Sequence, residues 1–381
     1  MARGEDTRLW LFLWAAVFTP MKICLLSVEI FAWGKYGGFG RSTRMLGREL
    51  VKRGHEVTAI VPRRMGQQPV EVLDGIQVIG FEPRKPFSAL SLIRSVDADI
   101  YHSQEPSLST YLAQRAMPHR KHVVTCRDTR NLHDWWIEFM YPSLNHSQVL
   151  FNFLYEDNIF VHKAIQRADR CFVAAKMLAP KARKKYMLSS DPEFLPSPIP
   201  FPENVRKSET PLVCFVGRLD RRKRPEIFFD LAKQFPDVQF EAIGEGRDAV
   251  WVQKLKSKYV HLSNLKLRGF VDQFSENGVS DLLGKSWVLV NTSARESLPT
   301  TFIEAAAHGC AILSEIDPDK FASDFGHHIT DGDYEGGLQI LLRDSNWQNM
   351  GDAGMEHVRS TFSLEISLQK HIDIYRSLIS L

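Results

Sequence analysis

Two glutamates, Glu296 and Glu304, stand eight residues apart in a segment that reads VLVNTSARESLPTTFIEAAAHGCAILS. The pattern predicts a strand over Val288 to Asn291, a polar loop, a helix over Thr301 to His308 and a strand over Cys310 to Ser314. Glu296 falls in the loop and Glu304 in the first helical turn. In open α/β sheets, ligands bind at the carboxyl ends of strands, beside helix N-termini. The two carboxylates are therefore candidates to bind the hydroxyl groups of a ligand.

A structural role is the alternative for Glu304. Thr301 followed three residues later by Glu304 has the form of a capping box, in which the glutamate accepts a hydrogen bond from a free backbone N–H. This interpretation explains Glu304 without a ligand. It does not explain Glu296, which precedes the helix.

A basic loop follows another predicted strand, which covers Leu212 to Val216 and ends at Gly217. The loop reads RLDRRKR, with Arg218 in its first position and Lys223 in its sixth. Two fixed cations on a strand-to-helix loop suit a diphosphate, which Arg binds in a forked manner and Lys as a point charge. A solvated basic loop is the alternative. Convergence with the two glutamates at one sheet edge favours the diphosphate site.

A glycine-rich segment, GKYGGFG at Gly34 to Gly40, follows the first predicted strand and precedes a helix. Glycines let the backbone approach a phosphate or a sugar closely. The spacing differs from the dinucleotide fingerprint, yet Arg63 and Arg64 follow the second strand and suit a 2′-phosphate. An NADP enzyme and a merely flexible turn are therefore both open alternatives.

Composition is that of an ordinary globular protein. The chain has 381 residues, 44% of them hydrophobic and 24% charged, with a net charge of +3. This length predicts two domains, and the near-neutral charge argues against bulk binding of nucleic acid. The five cysteines are scattered in apolar runs, so we expect reduced core residues and no zinc site.

Short apolar runs alternate with longer amphipathic segments from Met21 onward, which predicts α/β domains with doubly wound parallel sheets. Six prolines lie among the twenty-one residues from Asp191 to Pro211, where regular structure should stop. We predict two Rossmann-like domains, residues 21–195 and 212–360, that face each other across a cleft. Residues 196–211 form the linker, and a C-terminal helix at 361–381 packs back on the N-terminal domain.

Residues 1–20 stand apart from this pattern. Arg3 and Arg8 precede a ten-residue apolar run, Leu9 to Phe18, which resembles a signal-peptide core and is too short to span a bilayer. No small-residue cleavage site follows, and Met21 directly opens a predicted strand. We interpret residues 1–20 as an extension outside the fold, either an upstream start or a weak membrane contact.

The loop GRLDRRK, the segment ARESLPTTFIEAAAHG with its two glutamates, and the first-domain GG pair together resemble the retaining family 4 glycosyltransferases of the GT-B fold. The resemblance covers the chain from about Met21 to the C-terminus. It implies that residues 21–195 take the acceptor and residues 212–360 the nucleotide-sugar donor.

The resemblance also implies roles for individual residues. Arg218 and Lys223 would hold the donor diphosphate and assist the leaving group. Glu304 would bind the ribose diol and Glu296 the donor sugar. The remaining donor contacts are expected at Gly37, Gly38, Gly217, Arg268, Ser297, Leu298, Pro299 and Thr300. No metal or other cofactor would be required, because Arg and Lys supply the charge stabilisation.

Two positions depart from the pattern of the family. Glu296 is followed by Ser-Leu-Pro instead of Gly-Phe-Gly, so the loop is less free to adopt positive φ. Arg127 replaces the histidine that lines the reaction centre of the family, and Arg cannot accept a proton. A retaining transfer lets the leaving diphosphate take that proton, so activity is still expected. Arg127, Asp128 and His102 are predicted to line the acceptor side of the cleft.

The region from His133 to Phe160 is rich in large aromatic residues. These residues are expected to form an acceptor groove, to contact a membrane, or to fill an ordinary core. Basic residues nearby would assist contact with anionic lipid. They are Arg115, Arg120, Lys121, Lys181, Arg183, Lys184 and Lys185.

We therefore predict a cytoplasmic, metal-independent, retaining hexosyltransferase of glycan biosynthesis, with peripheral contact at the inner membrane face. It would move a hexose from a nucleotide diphosphate sugar to a sugar or lipid-linked acceptor. A nucleotide-sugar epimerase or phosphorylase on the same scaffold is one alternative. A nucleotide-sugar-binding protein without transferase activity is another, and the NADP enzyme is the last.

Overall fold

The computed structural model describes residues 19–34, 36–143, 145–274 and 278–380. The apolar run predicted at Leu9 to Phe18 lies outside the described residues. The strands are β1 (Lys22–Leu26), β2 (Glu56–Pro62), β3 (Val70–Leu73), β4 (Ile76–Phe81), β5 (Ile100–Ser103), β6 (Lys121–Cys126), β7 (Arg170–Val173), β8 (Glu193–Phe194), β9 (Leu212–Val216), β10 (Gln239–Ile243), β11 (Leu265–Gly269), β12 (Val288–Asn291), β13 (Ala311–Ser314) and β14 (Gly326–His328).

Helices connect most of these strands. They are α1 (Gly38–Lys52), α2 (Ala89–Val96), α3 (Leu108–Ala116), α4 (Leu132–Met140), α5 (His146–Glu156), α6 (Ile159–Gln166), α7 (Leu178–Tyr186), α8 (Pro225–Gln234), α9 (Ala249–Tyr259), α10 (Gly278–Lys285), α11 (Thr300–Ala307), α12 (Phe321–Asp324), α13 (Tyr334–Leu342), α14 (Asn346–Phe362) and α15 (Leu364–Ile379). A 3-10 turn covers Arg221–Lys223.

The chain divides into two compact units. The first contains the described residues up to Val124, Arg167–Arg170, and the described residues from Asp373 onward. The second contains the described residues of Thr125–Gln166 and of Cys171–Ile372.

The first sheet has the strand order β3-β4-β2-β1-β5-β6-β7-β8. Its central strand β1 pairs in parallel with β2 and β5, and it is buried from Ile23 to Leu26. Burial on both faces is typical of a parallel strand covered by helices. The predicted parallel sheet is confirmed, with an antiparallel edge strand that we did not predict. This strand, β3, pairs with β4 across the turn at Asp74 and Gly75, which both have positive φ.

The second sheet has six strands in the order β11-β10-β9-β12-β13-β14, and all its neighbouring strands are parallel. Alternate residues of β12 enter different cores. Val288 and Val290 pack in a cluster with residues of α8, α9 and α13. Leu289 packs in another cluster with residues of α10, α11 and α14. The sheet therefore has helices on both faces, as the sequence predicted.

Helix α11 starts one residue earlier than predicted, at Thr300, with Pro299 in the N-cap position. Thr301 therefore lies inside the first turn, and it cannot form the capping box with Glu304. Gly309 ends the helix with φ +70°, as predicted, because this left-handed conformation costs glycine little. The predicted strand that follows is β13.

All five cysteines are free, and Cys24, Cys126, Cys214 and Cys310 are buried. Burial raises the pKa of the Cys24, Cys214 and Cys310 thiols. The prediction of reduced core cysteines is confirmed for these four residues, whereas Cys171 is only half-buried. No helix among the described residues has the length and apolar character needed to cross a membrane.

The C-terminal tail forms two helices, α14 and α15, and α15 lies within the predicted C-terminal helix at 361–381. His371, on α15, is buried, and its Nδ1 donates a hydrogen bond to the Ser367 carbonyl at 2.8 Å. Burial lowers the pKa of His371 to about 4, and the positive charges of Arg127 and Lys370 contribute. The imidazole is therefore neutral in the folded chain at neutral pH.

This buried histidine predicts a pH dependence of stability. An unfolded histidine binds a proton below about pH 6.5, whereas folded His371 binds one only near pH 4. The unfolded state thus binds more protons in this window, and the free energy of unfolding should fall by up to roughly 3 kcal/mol as the pH drops through it. Urea unfolding at several pH values measures this slope. His371→Gln should flatten the slope, whereas His261→Gln, at an exposed position, should not.

Candidate glycosyl-transfer site

The basic loop and the glutamate loop leave the second sheet at the same edge. Strand β9 pairs in parallel with β12, with Val213 opposite Val288 and Cys214 opposite Leu289. Neighbouring parallel strands end at one edge, so the loops that follow them meet there. The structure therefore brings Arg218 and Lys223 to the edge where Glu296 lies.

Three hydrogen bonds to backbone carbonyls connect these two loops. Ala294 N donates to the Arg222 carbonyl at 2.9 Å, and Thr292 Oγ1 donates to the Lys223 carbonyl at 2.5 Å. Arg224 Nε donates to the Thr292 carbonyl at 2.6 Å. Arg224 has φ +45°, a strained value for a side chain other than glycine, and its contacts hold it there. The loops form one connected structure, so a shift of either loop would displace the other.

Lys223 and Glu296 form an ion pair between the loops. Their side chains are only 16% and 18% exposed. Burial raises the pKa of Glu296, but the charges of Lys223 and Arg222 outweigh it and hold this pKa below its ordinary value. Glu296 is therefore an anion at neutral pH, and it can accept hydrogen bonds from sugar hydroxyls.

Arg218 lies at the start of the basic loop, with Nη2 3.5 Å from Asp220 Oδ2. Asp220 is buried, and its carboxylate accepts a hydrogen bond from Lys223 N at 3.1 Å. Burial raises the pKa of Asp220, but the positive charges of Arg218, Arg222 and Lys223 outweigh this effect and hold the pKa below its ordinary value. The carboxylate thus contacts the Arg218 guanidinium and the Lys223 backbone from one position.

Glycine is required where β9 and β10 end. Gly217 N donates to the Ile243 carbonyl at 3.0 Å. Gly244 has φ +151°, and a Cβ there would lie 1.7 Å from the Gly217 carbonyl oxygen. The backbones of the two loops therefore approach closely beside Arg218, which no other residue at position 244 would allow.

The other predicted donor residues of the second unit have defined partners or positions. Ser297 Oγ donates to Asp128 Oδ1 at 2.7 Å, and the Arg268 guanidinium pairs with Glu241. Glu304 is buried on α11. Leu298 is half-buried between Ser297 and the helix start at Thr300. Pro299 has no N–H, so the donor contact predicted there cannot be a hydrogen bond from its backbone.

Asp128, expected on the acceptor side, contacts the glutamate loop directly. Its carboxylate binds both Nη atoms of Arg295, accepts from Ser297 Oγ, and pairs with Arg130. Burial raises the pKa of Asp128, but Arg130 and Arg295 hold it well below its usual range. Arg127 is buried, and its Nη1 donates to Ser197 Oγ at 2.5 Å.

Arg295 is the site residue that sequence reasoning missed. It is 8% exposed and directly precedes Glu296. Besides Asp128, its Nε donates to Asp134 Oδ1 at 2.8 Å, and its Nη1 lies 3.5 Å from Glu138 Oε1. Both acids are on α4, four residues apart and hence on one helix face. That i,i+4 spacing was the signal available in the sequence.

The first unit holds the remaining predicted residues. Gly37 is the N-cap residue of α1, which starts at Gly38. Gly40 N donates to Glu29 Oε1 at 3.1 Å, so a carboxylate already lies at this helix N-terminus. His102 is fully buried, and its Nδ1 lies 2.6 Å from Tyr375 Oη. Tyr375 therefore gives the buried imidazole of His102 a polar partner. The predicted role of His102 toward an acceptor stays a prediction.

Gly37→Ala should weaken the start of α1. A Cβ at this position would lie 2.0 Å from Glu29 Oε1, so the carboxylate would have to move away from Gly40 N. We expect a loss of about 1–3 kcal/mol in the free energy of unfolding, from strain and the lost hydrogen bond. Gly284→Ala is the control, because its Cβ would meet open space on α10. Equal stability of the two variants in urea unfolding would contradict the prediction.

The arginines of the NADP alternative serve other contacts. Arg63 pairs with Glu82 at 3.2 Å, and Arg64 Nη2 donates to the Val28 carbonyl at 3.1 Å. Among the described residues, no group of three or more His, Cys, Asp or Glu side chains is placed to hold a metal ion.

Comparison with known families decides the class. A family model described as Glycosyltransferase Family 4 matches residues 36–199, and a model described as Glycosyl transferases group 1 matches residues 198–318. The chain is a family 4-like, group 1 glycosyltransferase. Solved structures support the GT-B fold of this glycosyltransferase. Sucrose-phosphate synthase from Thermosynechococcus elongatus superposes with a TM-score of 0.71 at 18% identity, over 94% of this chain and 99% of that chain.

Two further structures are similar in fold. Anabaena HepE in complex with UDP and glucose has a TM-score of 0.68 at 13% identity, over 94% of this chain and all of that chain. WaaG, a glycosyltransferase involved in lipopolysaccharide biosynthesis, has a TM-score of 0.66 at 14% identity, over 93% of this chain and 99% of that chain. These identities are low, so the similarity concerns the fold of the glycosyltransferase and not its substrates.

Curated relatives are distant. A phosphatidylinositol N-acetylglucosaminyltransferase subunit from Arabidopsis thaliana is 20% identical over 313 residues, which cover 77% of this chain and 68% of the relative. The Homo sapiens protein of the same name is 20% identical over 308 residues, which cover 77% of this chain and 61% of the relative. The chain thus spans less than two thirds of the human relative's length.

Proposed function

We propose that this glycosyltransferase moves a hexose from a nucleotide diphosphate sugar to a sugar or lipid-linked acceptor, with retention of anomeric configuration and without a metal ion. The observation that carries this proposal is the half-buried Lys223–Glu296 ion pair at the sheet edge that also holds Arg218. Two cations and an anion at one edge match the charges of a diphosphate and the hydroxyl groups of a sugar. We place the reaction at the cytoplasmic face of a membrane, with the enzyme bound peripherally.

The chemistry follows from the charges of these residues. As the bond between sugar and diphosphate breaks, negative charge develops on the departing diphosphate. Arg218 and Lys223 stabilise that charge, and Lys223 exchanges part of its contact with Glu296 for the phosphate oxygen. Glu296, an anion, accepts hydrogen bonds from the donor sugar. These interactions strengthen as the transition state forms, which is the condition for catalysis.

The acceptor must lose a proton during the transfer. Arg127, at the position where a histidine is expected, has no lone pair to accept it. Attack on the face that the diphosphate leaves brings the acceptor hydroxyl next to a phosphate oxygen, which takes the proton. Arg127 then contributes positive charge and its hydrogen bond to Ser197. This arrangement favours a retaining over an inverting reaction.

The printed titles of similar proteins support the substrate classes. HepE was crystallised with UDP and glucose, and starch synthase IV of Arabidopsis thaliana with ADP and acarbose. The curated relatives are named for N-acetylglucosamine transfer to phosphatidylinositol. The nucleotide bases of the HepE and starch synthase IV complexes differ, so the base of the donor is left open. The lipid acceptor of the curated relatives supports the lipid-linked arm of the proposal.

A thermal-shift panel of UDP, GDP and ADP with their hexose derivatives tests donor binding. One base should raise the midpoint more than the others, since a ligand that binds only the folded state stabilises it. Turnover of that donor with EDTA present should continue at an unchanged rate, and NMR of the product should show the anomeric configuration of the donor. Inverted product, or complete loss of turnover in EDTA, would overturn the corresponding part of the proposal.

The same assays separate the alternatives. An epimerase converts the donor sugar without an acceptor, so chromatography of the donor incubated alone would detect it. A phosphorylase requires inorganic phosphate or a sugar phosphate in the reaction. A binding protein would show the thermal shift but no turnover with any donor, and that outcome would refute transfer.

A further inference from the structure

An exposed apolar face covers helices α4, α5 and the start of α6. Among the described residues, 22 large apolar side chains are exposed, and ten of them lie between Leu132 and Phe160. We call this set the apolar face. It consists of Leu132, Trp136, Phe139, Met140, Tyr141, Leu150, Phe151, Leu154, Ile159 and Phe160. Monomeric proteins rarely expose so dense a group of large apolar side chains without a binding partner.

The apolar face is built from helices that already have a buried side. On α5, Val149 and Tyr155 are buried, whereas Leu150 and Leu154 are 57% and 60% exposed. The ring centroids of Trp135 on α4 and Phe153 on α5 are 5.4 Å apart, and those of Phe139 and His146 are 4.5 Å apart. The exposed side chains are therefore a second apolar surface, additional to the core that holds the helices together.

The acidic residues of these helices, and Asp157 in the turn between α5 and α6, are held in ion pairs. The side chains of Asp134, Glu138, Glu156 and Asp157 are 12–14% exposed. Their cationic partners lie in other segments of the second unit. The pairs include Asp134 with Lys181 and Arg295, Glu138 with Arg222, Glu156 with Arg130, and Asp157 with Lys185. The side chains with ionisable groups that are exposed beside the apolar face are therefore His133, His146 and Lys163, and none of them is a carboxylate.

A lipid surface fits this combination better than a second protein does. Exposed carboxylates would be repelled by phosphate headgroups, and this segment exposes none among its described residues. Trp136 and Tyr141 have the amphipathic rings that favour the membrane interface, and the aliphatic side chains around them can enter the acyl boundary. Helices of 9 and 11 residues are far too short to span a bilayer, so the contact would lie in the membrane plane.

We propose that the apolar face of α4, α5 and the start of α6 docks on a lipid bilayer and thereby presents the donor loops to a lipid-linked acceptor. Helix α4 connects the two functions. Its Trp136 and Met140 are exposed, while its Asp134 and Glu138 bind the side chains that precede Glu296 and Lys223 in the two donor loops. The choice of acceptor rests on the proposed function, whereas the docking of the face does not.

The docking is driven by apolar contact and not by charge. Most of the basic residues expected to attract anionic lipid are ion-paired, including Lys181, Arg183 and Lys185. Arg120 and Lys121, in the first unit, are paired as well. Salt screens the attraction between exposed basic side chains and anionic headgroups, but it does not weaken the burial of apolar area. Binding should therefore need little anionic lipid and should survive high salt.

Flotation of the full chain with vesicles tests the proposal. The vesicles are phosphatidylcholine alone and phosphatidylcholine with phosphatidylserine. The protein should float with both, and Leu150→Ser/Leu154→Ser should lower its partition by about tenfold or more. Val250→Ser/Val260→Ser is the matched control, because these side chains are 69% and 83% exposed on and directly after α9. The control should float like the parent protein.

Tryptophan emission gives a second measurement. Trp136 is 59% exposed, so vesicles should shift the emission of the parent protein to shorter wavelength, and Trp136→Phe should remove most of that shift. Absence of flotation with both vesicles, or flotation that Leu150→Ser/Leu154→Ser leaves unchanged, would overturn the proposal. Flotation that requires phosphatidylserine and is lost in high salt would also overturn it. So would a dimer that dissociates in the double variant while vesicles fail to bind.

The nucleotide thermal-shift panel separates failure of this proposal from failure of the proposed function. Donor binding uses the loops of the second sheet and needs no bilayer. The double variant should therefore keep the nucleotide-induced shift of the parent protein. A protein that binds the donor but not vesicles would refute the membrane docking and the peripheral location, but not the glycosyl transfer. One that binds vesicles but no donor would refute the glycosyl transfer and leave the docking standing.

Discussion

Lys223→Ala should lower kcat/KM by about a hundredfold to a thousandfold while the chain stays folded, since loss of one preorganised charge that stabilises a developing anion typically costs this much. Lys223 is 16% exposed, so its charge acts with little screening by water. Steady-state kinetics with the donor found by the thermal-shift panel measures the loss. The fall should lie mainly in kcat, because the diphosphate gains charge in the transition state.

The choice of control matters for this variant. Arg221→Ala removes a cation from the same turn, but Arg221 is 41% exposed and paired with Asp248, away from Glu296. We expect it to change kcat/KM by less than about threefold, as for other exposed ion pairs. Comparable losses in both variants would show that the loop acts only through its net charge, and the assignment of Lys223 would fail.

Loss of Lys223 also leaves Glu296 without its ion-pair partner. Breaking a buried ion pair from one side can cost about 3–5 kcal/mol of stability. Lys223→Ala/Glu296→Gln removes the unpaired charge, so it should recover stability. Activity should stay low, since we propose that both groups contact the donor. Recovery of activity along with stability would mean that the single variant had failed only by unfolding.

The sequence predicted most of the fold because its patterns are local. Residues Val288 to Val290 are apolar, and Gly309 ends a helix with positive φ, so the boundaries of the elements in this region came within two residues of the structure. Strand β3 was not predicted because its local sequence pattern is weak. Its residues alternate between exposed and half-buried, with Val72 74% exposed, and in the part of the chain that the structure describes it pairs with β4 at the edge of the sheet.

The candidate site could be predicted in part. Neighbouring parallel strands bring the ends of β9 and β12 together, and that rule placed Lys223 beside Glu296. The ion pairs of Arg295 could not be predicted in this way. They join position 295 to positions 128 and 134, more than 150 residues earlier, and no local pattern specifies that approach. The same holds for Glu29, whose contact with Gly40 N depends on the turn between β1 and α1.

Arg295→Lys should lower kcat/KM although it preserves the charge. The Arg295 guanidinium binds Asp128 through both Nη atoms and Asp134 through Nε at the same time. A lysine ammonium is a point charge that cannot reproduce this planar fork. The loop that carries Glu296 and Ser297 would then lose its fixed position relative to Lys223. We expect a fall of about tenfold to a hundredfold in kcat/KM, because small displacements of positioned groups have effects of this size.

A double-mutant cycle separates positioning from stability. Asp128→Asn keeps the hydrogen-bonding shape of the carboxylate but removes its charge, and Arg295→Met removes the fork. Each single change leaves a buried charge without one of its partners, whereas the double variant removes both charges. We expect a coupling of about 1–3 kcal/mol in the free energy of unfolding. If Arg295 positions the loop, kcat stays low in the double variant even where stability returns, because Glu296 still lacks its anchor. Recovery of kcat together with stability would show that Arg295 only neutralises Asp128.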